Sequence, residues 1–349
     1  MKGEKITIKE IARRTGLSTG TVDRVLHNRG EVSGKSREKV MEAIRELGYE
    51  PNVHASLLSS GKRVRIVVLI PSPESGPFWS ISAQGIERAA ESTSVMDVSL
   101  SCVTYDQADL ESFREAGRKV LDMGPSGVVL APMFRYESFR LTQELHNRGI
   151  PYVFIDSKLE HDGYLAYCGM PAYESGYLCA DQLTGSQPID SALIVRVASD
   201  RHGQAGPTAY RRSGFLDYIA EHSPGCALSQ VTIDPEDPAR TDEILDQFDR
   251  THPGVRHIVM FNSRIHLIVP WLERHPVPGR RVIGFDNLDA NVEALKAGTV
   301  SVLIAQHPDE QVAFGIQTLS DYILLGKEPA HRDNFMHMDI LTRYNVSFY

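Results

Sequence analysis

Arg24 is the first residue in the chain whose type and place could do specific chemistry. It shares a short predicted helix with Thr19, Gly20 and Thr21. A guanidinium can bond guanine bidentately, and a threonine can bond a base edge or touch a thymine methyl. Nearby Arg29 and Lys35 suit phosphate oxygens, contacts that position a protein without reading sequence. Far downstream, Asp156 closes the apolar run 152–155, where a carboxylate can accept hydrogen bonds from hydroxyls or cap a helix. Arg201 and His202 lie in a Gly/Pro-rich loop able to close on a ligand. No catalytic arrangement accompanies these residues. The chain has no Gly-x-Ser-x-Gly, no His-Glu-x-x-His and no Gly-x-Gly-x-x-Gly after a strand. Gly34-Lys35-Ser36 is not a phosphate loop, because residue 29, where the first glycine would stand, is Arg. The thirteen histidines are scattered. His331 and His337 lack an acidic partner at helical spacing and read as surface or structural. Neither a metal nor a cofactor is expected.

The elements that must position these residues fall into two groups. Thr7 and Glu10 fit a capping box, and Ile8, Ile11, Ala12 and Thr15 follow on one helix face. Gly16 suits a helix stop. Ser18 can cap a second helix with Val22, Val25 and Leu26 inside. A third starts near Ser33 and buries Val40, Ala43, Ile44 and Leu47, with Gly48 ending it. Two short helices joined by a tight turn, plus a third, describe a helix-turn-helix head. Its second helix would lie in a major groove. From residue 64 the pattern changes to short β-branched runs at 66–70, 128–131, 152–155, 192–197, 258–261, 282–285 and 300–304. These suit strands buried on both faces. Between them lie amphipathic stretches at 79–92, 108–123, 136–149, 172–184, 208–222, 239–250, 264–274, 288–297 and 309–325. The alternation predicts parallel α/β sheets, enough for two lobes, with a ligand crevice at the carboxyl ends of the strands.

The run Thr7-Ile8-Lys9-Glu10-Ile11-Ala12, then Leu17-Ser18, Thr21-Val22, Arg24-Val25-Leu26, Val32-Ser33, Leu47-Gly48-Tyr49 and Pro51-Asn52, closely resembles the lactose-repressor (LacI/GalR) family of bacterial transcription regulators. The resemblance implies a DNA-contacting set of Thr7, Ser18, Thr19, Gly20, Thr21, Arg24, Arg29, Lys35, Asn52, Ala55 and Leu58. It also implies a hinge helix after Asn52 that folds on DNA, with Leu58 wedged into a minor-groove step. Two departures stand out. Ala55-Ser56 replaces the usual hinge Ala-Arg, and Asp23 replaces a frequent Ser.

In the body the resemblance rests on Pro77-Phe78-Trp79, Arg211-x-x-Gly214-Phe215, Val282-Ile283-Gly284-Phe285-Asp286-Asn287 and Gln306-His307-Pro308. It implies a two-lobed, periplasmic-binding-protein-like, Rossmann-type α/β regulatory domain with an effector in the cleft. The effector contacts it implies are aromatic Phe78 and Trp79, Arg211, Asn262 and Asp286. To these we add Asp156, Arg201 and Arg264. Arg264 follows Asn262-Ser263, where many members have Asn-Asp, which points to a different polar demand. Stacking rings with Asp, Asn and Arg suit a carbohydrate-like molecule.

Of 349 residues, 42% are apolar and 23% charged, which excludes a disordered chain. No apolar run reaches membrane-span length, and the first residues carry no signal-peptide pattern. Cys102, Cys168, Cys179 and Cys226 lie far apart and read as reduced cytoplasmic thiols. The net charge of -8 is uneven. Residues 1–65 carry 14 Lys and Arg against 8 Asp and Glu, a net of +6, whereas the other 284 carry 23 against 37, a net of -14.

The expected organisation is a head at 1–50, a hinge at 51–63 and a body at 64–349. Within the body, one lobe is expected at 64–158 with 289–322 and the other at 159–288 with 323–349. The expected function is a cytoplasmic, homodimeric, effector-responsive repressor on a pseudo-palindromic double-stranded DNA operator, with no membrane partner and no enzyme activity. The tail 341–349 reads as a strand rather than a tetramerising heptad. A sugar-modifying α/β enzyme with a helical appendage, or a sugar-binding protein without DNA activity, are the alternatives.

Overall fold

The computed structural model describes residues 7–26, 32–47, 64–75, 77–93, 98–161, 163–198 and 206–349. The chain divides into two compact units, Met1–Lys62 and Arg63–Tyr349.

The first unit holds α1 (Ile8–Thr15), α2 (Thr19–Leu26) and α3 (Gly34–Leu47). Ile11, Ala12, Val22, Val25, Val40 and Ala43 form its core, flanked by half-buried Leu17, Val32, Ile44 and Leu47. The amide of Glu10 donates to Thr7 Oγ1 at 3.4 Å, while the Glu10 carboxylate pairs with Arg13. Of the expected capping box, then, the Thr7 half forms. Gly16 ends α1 at φ 66°, a left-handed turn that suits glycine. Ser18 starts α2, with the Thr21 amide donating to its Oγ at 3.1 Å.

The second unit is two six-stranded sheets. Its strands are β1 (Val64–Pro71), β2 (Val98–Tyr105), β3 (Gly127–Leu130), β4 (Tyr152–Ile155), β5 (Ala166–Gly169), β6 (Ser191–Val197), β7 (Ala227–Ile233), β8 (His257–Val259), β9 (Arg281–Phe285), β10 (Val302–Ala305), β11 (Asp333–Phe335) and β12 (Asp339–Leu341). One sheet runs β11-β5-β4-β3-β1-β2 and the other β12-β10-β9-β8-β6-β7. All pairings are parallel except β10 with β12.

Parallel strands need helical crossovers. These are α4 (Pro77–Thr93), α5 (Leu110–Asp122), α6 (Arg135–Asn147), α7 (Ala172–Thr184), α8 (Pro207–His222), α9 (Pro238–Thr251), α10 (Val269–Arg274), α11 (Asp289–Ala297) and α12 (Pro308–Leu325). In the first lobe, α4 and α12 cover one face of the sheet, while α5 and α6 cover the other. In the second, α7 and α8 cover one face, with α9, α10 and α11 on the other. Among the described residues no helix is long and apolar enough to cross a membrane.

The lobe boundaries differ from the expected ones. Strand β5 pairs with β4 and β11 in the first sheet, so the first crossing falls after Gly169 rather than at 158. Strand β10 pairs with β9, which places 289–305 in the second lobe. Helix α12 then returns to pack on α4 and β5, and β11 keeps the chain in the first lobe through Phe335. The third crossing leads to β12. The tail also differs: after Leu341 the chain turns and ends in a 3-10 turn at Val346–Phe348. Asn345 holds that turn, accepting from the Thr342 amide at 2.6 Å and donating to Ile340 O at 2.9 Å.

Three histidines close helices of the second lobe. His222, His252 and His275 each stack on the aromatic residue four positions earlier, Tyr218, Phe248 and Trp271, at centroid distances of 4.1, 4.6 and 4.6 Å. Each stacked ring thus helps to close its helix.

Candidate functional site

On the head, Ser18, Thr19 and Gly20 are exposed at the start of α2, Thr21 is half-buried, and Arg24 is exposed in the last turn. Ser18 Oγ and Thr21 Oγ1 lie 2.9 Å apart. Arg24 folds back over Gly20, where an added Cβ would stand 3.9 Å from both Arg24 Nη2 and Ser18 Oγ. Hydroxyls and one guanidinium thus share a patch at a helix N-terminus, where backbone dipoles also favour anions. Lys35 is exposed in the first turn of α3, and Thr7 caps α1. Asp23 is half-buried. Arg29, Asn52, Ala55, Leu58 and Arg201 lie outside the described residues.

On the body, the third strand of each sheet ends in an aspartate with a left-handed backbone: Asp156 after β4 at φ 63° and Asp286 after β9 at φ 65°. Aspartate tolerates this region better than most residues. Each amide donates to the neighbouring strand, Asp156 N to Cys168 O at 3.1 Å and Asp286 N to Ile304 O at 2.9 Å. Burial pushes both carboxyls up to about 6, against the pull of the Arg211 guanidinium.

Arg211 is buried, on the second turn of α8. Its Nη1 donates to Phe261 O at 3.0 Å and its Nη2 to Gln306 Oε1 at 3.1 Å. The guanidinium lies 4.4 Å over the Phe285 ring. Its Nε is buried with no hydrogen-bond partner among the described residues, a donor aimed at no protein acceptor.

Two glycines set this depth. A Cβ on Gly176 of α7 would come 1.8 Å from Arg211 O, and one on Gly214 of α8 would come 2.0 Å from Tyr173 O. The two helices therefore touch backbone to backbone. Tyr173 and Tyr177 on α7 donate to Asp217 and Glu221 on α8 at 2.8 and 2.7 Å, which fixes the register.

Gln306 stands on the second crossing and ties the cleft together. Its Nε2 donates to Asp286 Oδ1 at 3.0 Å. Its carbonyl accepts from Gln311 Nε2 at 2.9 Å, and Gln311 Oε1 accepts from the Asp156 amide at 3.0 Å. Asn291 donates to Phe285 O, Asp286 O and Ser263 O at 3.2, 3.1 and 2.9 Å, closing the loop behind Asp286. Sequence reasoning missed Gln311 and Asn291 as support and quoted Gln306 only as part of a motif. A polar residue inside a helix carries no periodicity signal.

Asn262 and Arg264 are half-buried in the loop after β8, with Asn262 Oδ1 accepting from the Arg264 amide at 2.9 Å. Phe78 and Trp79 open α4 and pack at 4.9 Å edge to face. They are 8% and 4% exposed and belong to the first lobe's apolar cluster, which Leu288 of the other lobe also joins. They are thus largely enclosed aromatics rather than open platforms. Trp79 Nε1 donates to Gln107 Oε1 at 3.4 Å.

Comparison with known proteins gives the same division of the chain. Residues 7–52 match the family model of bacterial regulatory proteins, lacI family, and residues 66–328 match the periplasmic binding protein domain. The chain is 31% identical to the HTH-type transcriptional regulator RegA of Clostridium saccharobutylicum, over 75% of this chain and 73% of that one. It is 34% identical to the HTH-type transcriptional regulator DegA of Bacillus subtilis, where the match spans 43% of this chain but only 44% of DegA. Among solved structures, a chain described as a LacI transcriptional regulator from Bacteroides fragilis aligns at TM-score 0.75 and 32% identity, over 82% of this chain and all of that one. A glucose-galactose binding protein from Geobacillus stearothermophilus shares the fold at TM-score 0.69 and 19% identity, over 81% and 99%. The chain belongs to the LacI family of bacterial regulatory proteins.

Proposed function

We propose that the protein is an effector-responsive repressor that binds a pseudo-palindromic DNA operator as a homodimer. Thr19, Thr21 and Arg24 would read base edges, with Gly20 offering only backbone there and Thr7, Ser18 and Lys35 on the phosphates. The effector is a sugar or sugar derivative held in the cleft by Arg211, Asn262, Arg264, Asp286 and Asp156, with Phe78 and Trp79 forming the apolar wall. The observation that carries the effector half is the buried Arg211 Nε, without a hydrogen-bond partner among the described residues, beside two buried carboxyls. Such a set is costly to keep unless a polar ligand completes it. Hydroxyls can donate to Asp286 and Asp156 and accept from Arg211, so a polyol satisfies all three. Ligand binding that favours one lobe angle changes DNA affinity by the difference in its affinity for the two states.

The test is fluorescence anisotropy on palindromic fragments from the gene's own neighbourhood, with and without a panel of mono- and disaccharides and sugar acids. Specific binding should fall steeply with salt, one sugar should shift it at least tenfold, and sedimentation should give a dimer. No specific binding under any of these conditions would end the proposal.

A further inference from the structure

A cavity of about 270 Å³ lies against the first crossing, between the loop after β4 and the first turns of α7 and α8. Among the described cleft residues, Asp156 is the one that lines it; Arg211, Asn262 and Asp286 do not. Its walls are rich in rings. Tyr167, Tyr173, Tyr210 and Phe335 line it together with Glu160 and Glu174. Phe335 is 57% exposed, Tyr210 45% and Tyr173 40%, so these rings stay open to solvent although aromatic surface is costly to leave there.

The phenol hydroxyls are already engaged. Tyr210 donates to Glu160 Oε1 at 2.8 Å, Tyr173 to Asp217 Oδ2 at 2.8 Å and Tyr167 to Asp156 O at 3.2 Å. A phenol that donates to a carboxylate has an electron-rich ring and no spare proton for a sugar hydroxyl. Such walls offer π faces and negative charge. One cation already uses them: Lys158 Nζ sits 5.2 Å over the Tyr167 ring while paired with Asp333. Among the described lining residues, Lys158 is balanced by Asp333, Glu160 faces Arg135 at 4.0 Å, and Glu174 and Asp156 add further negative charge.

We propose that this cavity binds an organic cation, a quaternary or primary ammonium, held over the rings of Tyr173, Tyr210 and Phe335 and balanced by Glu160 and Glu174. Cations are held over aromatic faces within roughly 6 Å of the ring centroid. The site spans both lobes, since Glu160 comes from the first and Tyr210 from the second. Occupancy therefore acts on the same lobe angle as the cleft does, while the site itself does not rest on the cleft's sugar reading.

The experiment is calorimetric titration of the full chain with choline, and with its neutral carbon isostere dimethylbutanol, at constant ionic strength. Choline should bind with a millimolar dissociation constant and the isostere at least about tenfold more weakly, because the rings and carboxylates act on the charge. Phe335→Ala and Glu160→Gln, both at exposed positions, should each weaken choline by about threefold or more with the melting temperature unmoved. A crystal grown with choline should place its nitrogen among the three rings. Equal binding of the isostere, no binding of choline, unchanged binding by both variants, or density at Arg211 and Asp286 instead would each overturn the proposal.

Discussion

The two lobes use one plan to different ends. Each covers a sheet face with a helix of its own and a helix delivered by the other lobe. In the second lobe α8 packs against α7, which arrives by the first crossing. In the first, α4 packs against α12, which arrives by the second. Both pairs meet at a glycine: Gly176 against Arg211 O, and Gly85 against Asp309 O, where a Cβ would come within 2.3 Å. The difference lies in what the home helix carries toward the cleft. Helix α8 brings Arg211, beside Asp286 and Gln306, whereas α4 brings Phe78 and Trp79. One home helix thus brings a buried cation and the other a pair of enclosed rings, while each sheet adds its own buried aspartate, Asp156 in the first and Asp286 in the second.

The largest test of this asymmetry is Arg211→Ala. It removes the cation shared by two buried carboxyls, and should cost about 3 kcal/mol of stability and abolish the effector response. Chemical denaturation and the anisotropy assay read the two effects. Phe78→Ala should also weaken the effector, yet leave its pH dependence intact.

Gly176→Ala and Gly85→Ala should each destabilise by about 1–3 kcal/mol through overpacking. Only the first should also weaken effector binding, because it displaces Arg211. Equal effects of both on affinity would break the comparison.

Asp286→Asn should go the other way. The folded carboxyl, raised to about 6, takes up protons that the unfolded chain releases nearer the ordinary aspartate value of 3.8, so wild-type stability falls as pH rises from about 4 to about 6. The variant should therefore be more stable than wild type at pH 7, on the order of 2 kcal/mol, and lose that advantage near pH 4. Thermal melts across this window give the answer.

The smallest effect belongs to the head, which serves as a control. Ser18→Ala should cost about 1 kcal/mol through a lost helix cap and leave effector affinity in the body unchanged.

The head was legible almost residue by residue, because capping residues and apolar spacing are local signals. The strands were legible where they are buried on both faces, as in β3, β4 and β9, and missed at the edges. The edge strands β2 and β7 are mostly exposed or half-buried along their length, and β5, inside its sheet, was missed because Ala-Tyr-Cys-Gly is buried without β-branching. The crossings misled because no local pattern says which sheet a strand joins. Asp156, Arg211 and Asp286 were named from strand ends and motif order. Gln306, Gln311 and Asn291 escaped because their partners lie in contacts that the folded chain alone creates.

The three crossings also set an order of events during synthesis. The first sheet is made almost whole from residues 64–169, but α12, which covers Val129 and Val153, and β11, which completes its edge, follow only after all of the second lobe except β12. Until residues 308–335 leave the ribosome, the first lobe carries an uncovered apolar face and an open strand edge, a state prone to wrong pairing. A translational pause or truncation near residue 305 should therefore yield a second lobe close to complete beside a first lobe that aggregates.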